Sequence, residues 1–373
     1  MKILLVGDYS GVHSELRSAL LALGHDVKLI SDGDGYKGFS RDVDFSSANI
    51  KNKYVNLVLE YLGVRGLFLY FSKRMLVRSL KGFDAVQIIN PMALECFGSL
   101  ANYFFIRNLR AHNNKLFVCA LGDDQEWVSA CLNGRYKYSP LDKYNFFNIR
   151  SYLYSMRYRY GLFFGFLHRF CMQSADAIIP GLLDYKIAYA KNDKCTEVVP
   201  LPIASNRFSP PKPTRYPIKI FHGWQCGKEK RKGNDVFDKA VCRILVKYEG
   251  TVQYNKISNV TFEEYLKLYS DSDIFLDQCY SYDRGVNGVL GMASGKVVFS
   301  GFEPGSCLLP ESMNIGVNAE TSVDAIYSQI EYLINNPQVI DSIKASAYDY
   351  SVVIHDSKSV ALRYLGIWGG SHI

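Results

Sequence analysis

Short apolar runs, glycine-containing turns and longer stretches of helical spacing alternate along the chain. Residues 2–6 read as a buried strand, 7–11 as a turn, about 14–23 as a helix, Gly24 as its stop and 25–30 as a second strand. Further strand-like runs fall at 85–89, 116–120 and 177–179, with helical patterns between them. Alternation of this kind predicts a parallel, doubly wound sheet. The rhythm stops where five prolines crowd residues 198–213, since proline suits neither a helix interior nor a central strand. It resumes with a strand at 218–221, a loop to 232 and a helix at 234–247. A helix at 261–270, a strand at 274–277, a helix near 287–292, a strand at 297–299 and helices near 322–335 and 339–350 complete the second half. The pattern predicts a first α/β domain over 1–203, a linker at 204–216 and a second α/β domain over 217–351. A last helix, within about 352–373, is free to pack back onto the first.

Composition fits this division, because 373 residues with 48% apolar content exceed one ordinary core. Nine cysteines include no CxxC pair, and MKILLVGDYSG reads as a strand rather than a signal peptide, so reduced thiols and a cytoplasmic location are expected. No apolar run approaches the roughly 18 residues that span a bilayer. The net charge of +7 is uneven: residues 51–175 hold 17 Lys/Arg against 7 Asp/Glu. Those cations lie among aromatic and aliphatic residues at 65–74 and 152–164, and the mixture points to an anionic surface at the inner membrane face, through Arg65, Arg74, Arg157 and Arg159. Buried helices with solvated arginine rims are the alternative. No nucleic-acid-reading motif accompanies the charge, which argues against nucleic acid.

Candidate chemistry lies in loops that follow strands, where helix starts and loop amides hold ligands. Gly7-Asp8-Tyr9-Ser10-Gly11 lacks the third glycine of a dinucleotide fingerprint, which argues against a dehydrogenase. Ser10 and Gly11 are candidate acceptor contacts. His13 is a candidate base or sugar contact, or a plain surface residue at a helix start. In Gly122-Asp123-Asp124-Gln125-Glu126-Trp127, Asp123 and Asp124 are candidate catalytic or acceptor-orienting carboxylates, and helix capping is the competing role. From His222-Gly223 to Lys228, Lys230, Arg231 and Lys232-Gly233, four cations precede a helix, which suits a diphosphate with Lys232 as its main contact. The sequon Asn259-Val260-Thr261 carries no weight in a cytosolic chain.

Several pieces together resemble GT-B glycosyltransferases of the large retaining group called family 4. They are Gly24-His25-Asp26-Val27, Ser174-Ala175-Asp176-Ala177-Ile178-Ile179, the proline-rich segment from Val198, and Lys232-Gly233 before a helix. Asp271-Ser272-Asp273-Ile274-Phe275-Leu276-Asp277-Gln278 and Gly285-Val286-Asn287-Gly288-Val289-Leu290-Gly291-Met292-Ala293-Ser294-Gly295-Lys296-Val297-Val298 complete the set. The resemblance implies two Rossmann-like domains facing across a cleft, with an acceptor on the first and a UDP- or GDP-sugar on the second. It also implies metal-independent transfer with retained configuration; transfer to a glycan, or to a lipid-linked glycan as the basic, aromatic first domain suggests, in surface polysaccharide biosynthesis is the expectation built on it. No cofactor is implied; the nucleotide sugar is a substrate. Donor contacts carried over are His222, Gly223, Arg231, Lys232, Gly285, Asn287 and Gly288. The family's two donor-loop glutamates are replaced by Tyr282 and Leu290, leaving Asp277, Gln278, Tyr282 and Asp283 to serve instead. That loss keeps open an inactive binding subunit, and the fold also admits a nucleotide-sugar epimerase.

Overall fold

The computed structural model describes residues 1–32, 41–45, 52–224, 229–258, 262–306 and 314–370; the sequon lies outside them. The chain groups into two units, one of Met1–Arg135, Tyr152–Pro202 and Ser357–Ile373, the other of Tyr136–Ser151 and Ile203–Asp356.

In the first unit β1 (Lys2–Val6) leads to α1 (Val12–Ala22), β2 (Asp26–Ser31) and β3 (Val43–Asp44). Three helices follow, α2 (Lys53–Tyr61), α3 (Leu67–Ser72) and α4 (Arg74–Ser79), then β4 (Ala85–Ile88), α5 (Gly98–His112), β5 (Lys115–Ala120) and α6 (Gln125–Leu132). After the excursion into the second unit come α7 (Leu153–Tyr160), α8 (Phe164–Ser174), β6 (Ala177–Pro180) and α9 (Leu183–Ala188). The strands form a parallel sheet in the order β3-β2-β1-β4-β5-β6. Ile3 to Val6 are all fully buried, the mark of a central parallel strand covered on both faces.

The second unit runs β7 (Ile218–Gly223), α10 (Glu229–Lys232), α11 (Asn234–Lys247), β8 (Val252–Ile257), α12 (Phe262–Ser270) and β9 (Ile274–Leu276). It continues with α13 (Val286–Ala293), β10 (Val297–Ser300), β11 (Val317–Asn318), α14 (Val323–Asn335) and α15 (Pro337–Ile354). Its parallel sheet has the order β11-β10-β9-β7-β8. Phe237, Ala240, Val241 and Ile244 of α11 pack with Ile326 and Ile330 of α14 on one face. Met292 of α13 packs with Ala347, Tyr350 and Ile354 of α15 on the other. Finally α16 (Ser357–Gly369) returns to the first unit, where Val360, Ala361, Tyr364 and Trp368 pack with Ile3, Leu5, Leu16 and Leu20.

Two segments lie elsewhere than the sequence pattern placed them. Tyr136–Ser151 belongs to the second unit, where Tyr138 packs against the core and Tyr136 against Tyr282. Residues 204–216 are not a free spacer: Thr214 N–H donates to Asp341 (2.8 Å), and a Cβ on Gly295 would lie 2.5 Å from the Pro211 ring. Strand β8 escaped notice because only Val252 of its VQYNKI is fully buried, so an edge strand carries little apolar signal. Helix α1 starts earlier than read, since the buried Asp8 carboxylate accepts the N–H groups of His13 (3.0 Å) and Ser14 (3.2 Å).

Candidate functional site

Each sheet has one place where the strand order reverses, and in doubly wound sheets ligands bind at the carboxyl ends of the strands beside it. In the second unit the reversal lies between β7 and β9. Lys232 ends α10, the short helix that follows β7, and the loop after β9 supplies Asp277. Lys232 Nζ donates to Asp277 Oδ1 at 2.9 Å, and Ser300 Oγ donates to the other carboxylate oxygen at 3.2 Å. Cys279 N–H donates to the Lys232 carbonyl at 3.0 Å, which stitches the two loops together. The stitch needs Gly233, with φ of 76°, since a Cβ there would fall 2.0 Å from Cys279 Sγ. Helix α13 opens onto the same corner: Gly285 caps it with its backbone accessible, and a Cβ on Gly288 would stand 3.5 Å from Asp277 Oδ2. The structure therefore brings Lys232, Asp277, Gly285 and Gly288 together. Asn287 is exposed, and Gly223, Arg231 and Gln278 are half-buried.

Other candidates are engaged differently. His222 is fully buried, its Nδ1 2.6 Å from the Tyr254 hydroxyl, and burial holds its pKa down at about 4. It supports the loop from below and presents no exposed edge to a donor. Asp283 was expected to replace a lost glutamate; instead its carboxylate accepts the backbone N–H (2.8 Å) and guanidinium (2.9 Å) of the buried Arg284, which also reaches the Tyr350 hydroxyl at 3.0 Å. Tyr282 packs between Tyr136 and Tyr138, with centroids 5.4 and 5.2 Å away, and its hydroxyl accepts the Lys137 N–H at 2.5 Å. The excursion from the first half of the chain thus covers Tyr282.

In the first unit the order reverses between β1 and β4. The loop after β1 is pressed onto the loop after β4: Gly7 has φ of 77°, and a Cβ there would lie 2.2 Å from the Ala93 carbonyl oxygen. Ser10, exposed with φ of 54°, and Gly11, with φ of 82°, form the rim above α1. His13 is not a surface residue. It is fully buried, Nδ1–H donates to the Gly7 carbonyl (2.6 Å), and Nε2 accepts from Gln87 (3.1 Å), whose Oε1 accepts the Trp368 indole N–H (3.2 Å). Burial lowers its pKa to about 4, so it is a neutral strut with no ring nitrogen free to act as a base. Asp124 is equally committed: it caps α6 through the Trp127 N–H (2.8 Å) and accepts the Tyr189 hydroxyl (2.5 Å), and burial pushes its pKa up to about 7. Asp123 is half-buried and accepts from the Ser155 hydroxyl.

No protein-family model and no curated protein matches the sequence. Solved structures do match along the whole chain. Sucrose-phosphate synthase of Thermosynechococcus elongatus is 11% identical over 99% of each chain, with a TM-score of 0.59. Anabaena HepE in complex with UDP-glucose is 12% identical over 99% of this chain and 100% of its own, with a TM-score of 0.59. UDP-GlcNAc 2-epimerase of Neisseria meningitidis bound to UDP-GlcNAc is 11% identical over 98% and 99%, with a TM-score of 0.51. The fold is GT-B. At these identities the likeness is one of architecture, and the chemistry has to be argued from the residues.

On this GT-B frame the first unit holds a group that the sequence pattern missed. Arg157, 1% exposed, donates to both oxygens of Glu95 (2.9 and 2.7 Å) and to Glu60 (3.0 Å), which Arg65 also contacts. Tyr9 and Tyr154 hydroxyls donate to Glu95 at 3.1 and 2.7 Å. Arg157 and Arg65 are therefore internal ion-pair members, not membrane-facing cations. Nothing in LYSMRYRY distinguishes a buried arginine from the exposed Arg159 two residues on, because the partners lie about sixty to a hundred residues away in the chain.

Proposed function

We propose that the chain transfers a sugar from a nucleotide-diphosphate sugar to a glycan or lipid-linked glycan, binding the donor on the second unit and the acceptor on the first. The observation that carries this reading is Lys232 at the β7–β9 reversal, beside the accessible start of α13. As the glycosidic bond breaks, negative charge grows on the departing diphosphate. An ammonium and helix-start N–H groups already aimed there stabilise that charge without reorganising. Asp277 keeps Lys232 in place until a phosphate takes its proton donors, and Ser300 then remains to hold the carboxylate. UDP is the nucleotide to test first, since HepE and the epimerase are described with UDP-sugars. A retaining course, in which the leaving phosphate accepts the acceptor proton, agrees with a first unit where His13 and Asp124 are both occupied. Titration calorimetry should find UDP or GDP binding that weakens about 10- to 100-fold in Lys232→Ala, the range of a charge-assisted hydrogen bond. A chain that binds neither nucleotide nor its sugars is not a transferase.

A second reading, a binding subunit without turnover, is supported by the donor loop. Leu290 packs against a cluster of Ile203, Val289 and Ala293, and Tyr282 is covered by Tyr136 and Tyr138. Donor binding without product from any glycan or glycolipid acceptor would favour it. Product analysis without acceptor separates both from a nucleotide-sugar epimerase.

The lipid-linked acceptor and a peripheral place at the inner membrane face draw support from one surface of the first unit. Tyr54 (78% exposed), Phe68 (87%), Phe71 (58%) and Met75 (78%) project from α2, α3 and α4. Rings at 4.6–6.1 Å spacing continue from Tyr70 through Phe104 and Tyr103 to Phe166 on α8. Arg74 and Arg78 on α4, Arg107 on α5 and Arg169 on α8 are exposed on the helices that carry these side chains, and Arg159 is exposed on α7. Apolar side chains amid cations suit anionic lipid. Sedimentation with phosphatidylglycerol vesicles should be lost when Phe68, Phe71 and Met75 become serine; equal sedimentation with neutral vesicles, or none, ends the proposal.

A further inference from the structure

We propose that Glu95 is the carboxylate that recognises hydroxyl groups of a neutral carbohydrate acceptor, with Arg157 as its positioning residue and Tyr9 and Tyr154 as its walls. The proposal rests on the reading that the first unit binds the acceptor. Its ground is position. Tyr9 stands in the loop after β1 and Glu95 in the loop after β4, the two loops that flank the strand-order reversal of this sheet. The Tyr9 ring lies over Gly122 in the loop after β5, where a Cβ would meet it at 2.8 Å, so one side chain spans the carboxyl edge of three adjacent strands.

Charge names the class of ligand. Glu95 and Glu60 are matched by Arg157 and Arg65, and Asp32 adds a further carboxylate beside Glu95, so the cluster disfavours an anion. What it offers is hydrogen bonding. The Glu95 side chain is 25% exposed. Its Oε1 accepts from Tyr9, Tyr154 and Arg157, whereas Oε2 accepts from Arg157 at 2.7 Å and keeps lone-pair capacity for a hydroxyl. Burial and then the Glu95 charge push the Tyr9 hydroxyl well above its ordinary pKa, which keeps it a donor. Tyr154, 47% exposed and with the Arg157 guanidinium 3.9 Å from its ring centre, presents an apolar surface to sugar C–H groups beside the carboxylate. Arg157 lies beneath, 1% exposed, and holds both carboxylate oxygens from one nitrogen, Nη2, while its Nη1 reaches Glu60.

The test uses the full chain on an array of neutral glycans, with the hits titrated as methyl glycosides by saturation-transfer NMR. Wild type should bind at least one neutral glycan. Glu95→Gln should weaken it tenfold or more, and Tyr154→Ala and Arg157→Lys severalfold, with UDP affinity unchanged in all three. Tyr154→Phe, which keeps the ring and removes one donor to Glu95, should weaken the glycan less than Tyr154→Ala does, and unchanged UDP affinity guards against misfolding. The proposal falls if Glu95→Gln binds the glycan as wild type does, if it weakens UDP equally, or if a UDP-binding wild type binds no neutral glycan. Glycan binding that depends on Glu95 in a chain that binds no nucleotide would keep this site and remove the transferase reading.

Discussion

The two strand-order reversals are built on opposite plans. In the first unit a carboxylate, Glu95, faces outward and a buried arginine holds it from behind. In the second a cation, Lys232, faces outward at 20% side-chain exposure, and a buried carboxylate, Asp277 at 2%, holds it. An outward cation beside a helix start suits phosphate, and an outward carboxylate with tyrosines suits hydroxyl groups. On the proposed reading, the same fold element acquires contrasting preferences by exchanging which partner of an ion pair is buried.

The sharpest way to break that comparison is to remove the inner partner of the first pair. Arg157→Ala leaves Glu95 and Glu60 without their shared cation, and removing one member of a buried pair typically lowers stability by about 3–5 kcal/mol. Urea unfolding should show a loss of that size confined to the transition of the first unit. A loss below about 1 kcal/mol would mean that the network is solvated and does not set Glu95.

The doubly wound pattern was legible in the sequence because buried parallel strands such as Ile3 to Val6 are continuous apolar runs bounded by glycine turns. The place of Lys232 ahead of α11 was legible for a local reason, four cations written between a strand and a helix, while its contact with phosphate is part of the proposal. Glu95 and Arg157 were not, since a long-range ion pair leaves no periodic trace and two arginines in LYSMRYRY have different fates. His13 illustrates the same limit: its burial depends on Gln87 and Trp368, which only the fold brings to it. The assignment of Tyr136–Ser151 to the second unit was hidden likewise, its anchors being tyrosines that any surface could carry.

Both reversals also rest on a buried neutral histidine, His13 in one unit and His222 in the other. Each has its folded pKa lowered from 6.5 to about 4 by burial. The unfolded chain therefore binds a proton that the folded chain refuses between pH 6.5 and 4. Each histidine's contribution is complete above pH 6.5 and is lost as pH falls, at about 1.4 kcal/mol per pH unit, or roughly 3 kcal/mol across the window. His13→Gln should remove one proton's worth of slope in stability against pH, and His222→Gln the same amount from the second unit. An unchanged slope in either variant would mean that the ring is already charged or solvated in the folded state.

Lys232→Ala should cost less stability than Arg157→Ala, about 1–3 kcal/mol, because Lys232 is partly exposed and Asp277 retains Ser300. Nucleotide affinity should fall as well, by about 10- to 100-fold. A variant that loses stability as Arg157→Ala does, with nucleotide affinity intact, would make Lys232 an internal strut and dissolve the contrast between the two corners.

The smallest effect concerns Asp124, one residue beyond Asp123 and in the loop next to the first reversal. If the contrast is right, Glu95 and Asp123 face a ligand and Asp124 serves the fold alone. Burial raises its pKa from 3.8 to about 7 in the folded chain. The folded state then holds a proton that the unfolded chain has released, so this contribution is complete below pH 3.8, falls as pH rises and is gone above about 7. Between pH 6 and 8 that decline amounts to about 1.4 kcal/mol. Asp124→Asn abolishes it while leaving the cap, because asparagine accepts the Trp127 N–H as aspartate does and its amide can donate to Tyr189. Thermal unfolding at pH 6 and 8 should therefore differ less in the variant than in wild type, with glycan affinity equal in the two proteins. Identical pH profiles would show that the carboxylate stays ionised throughout, and a loss of glycan binding would place Asp124 with Glu95 at the acceptor rather than with the helix it caps.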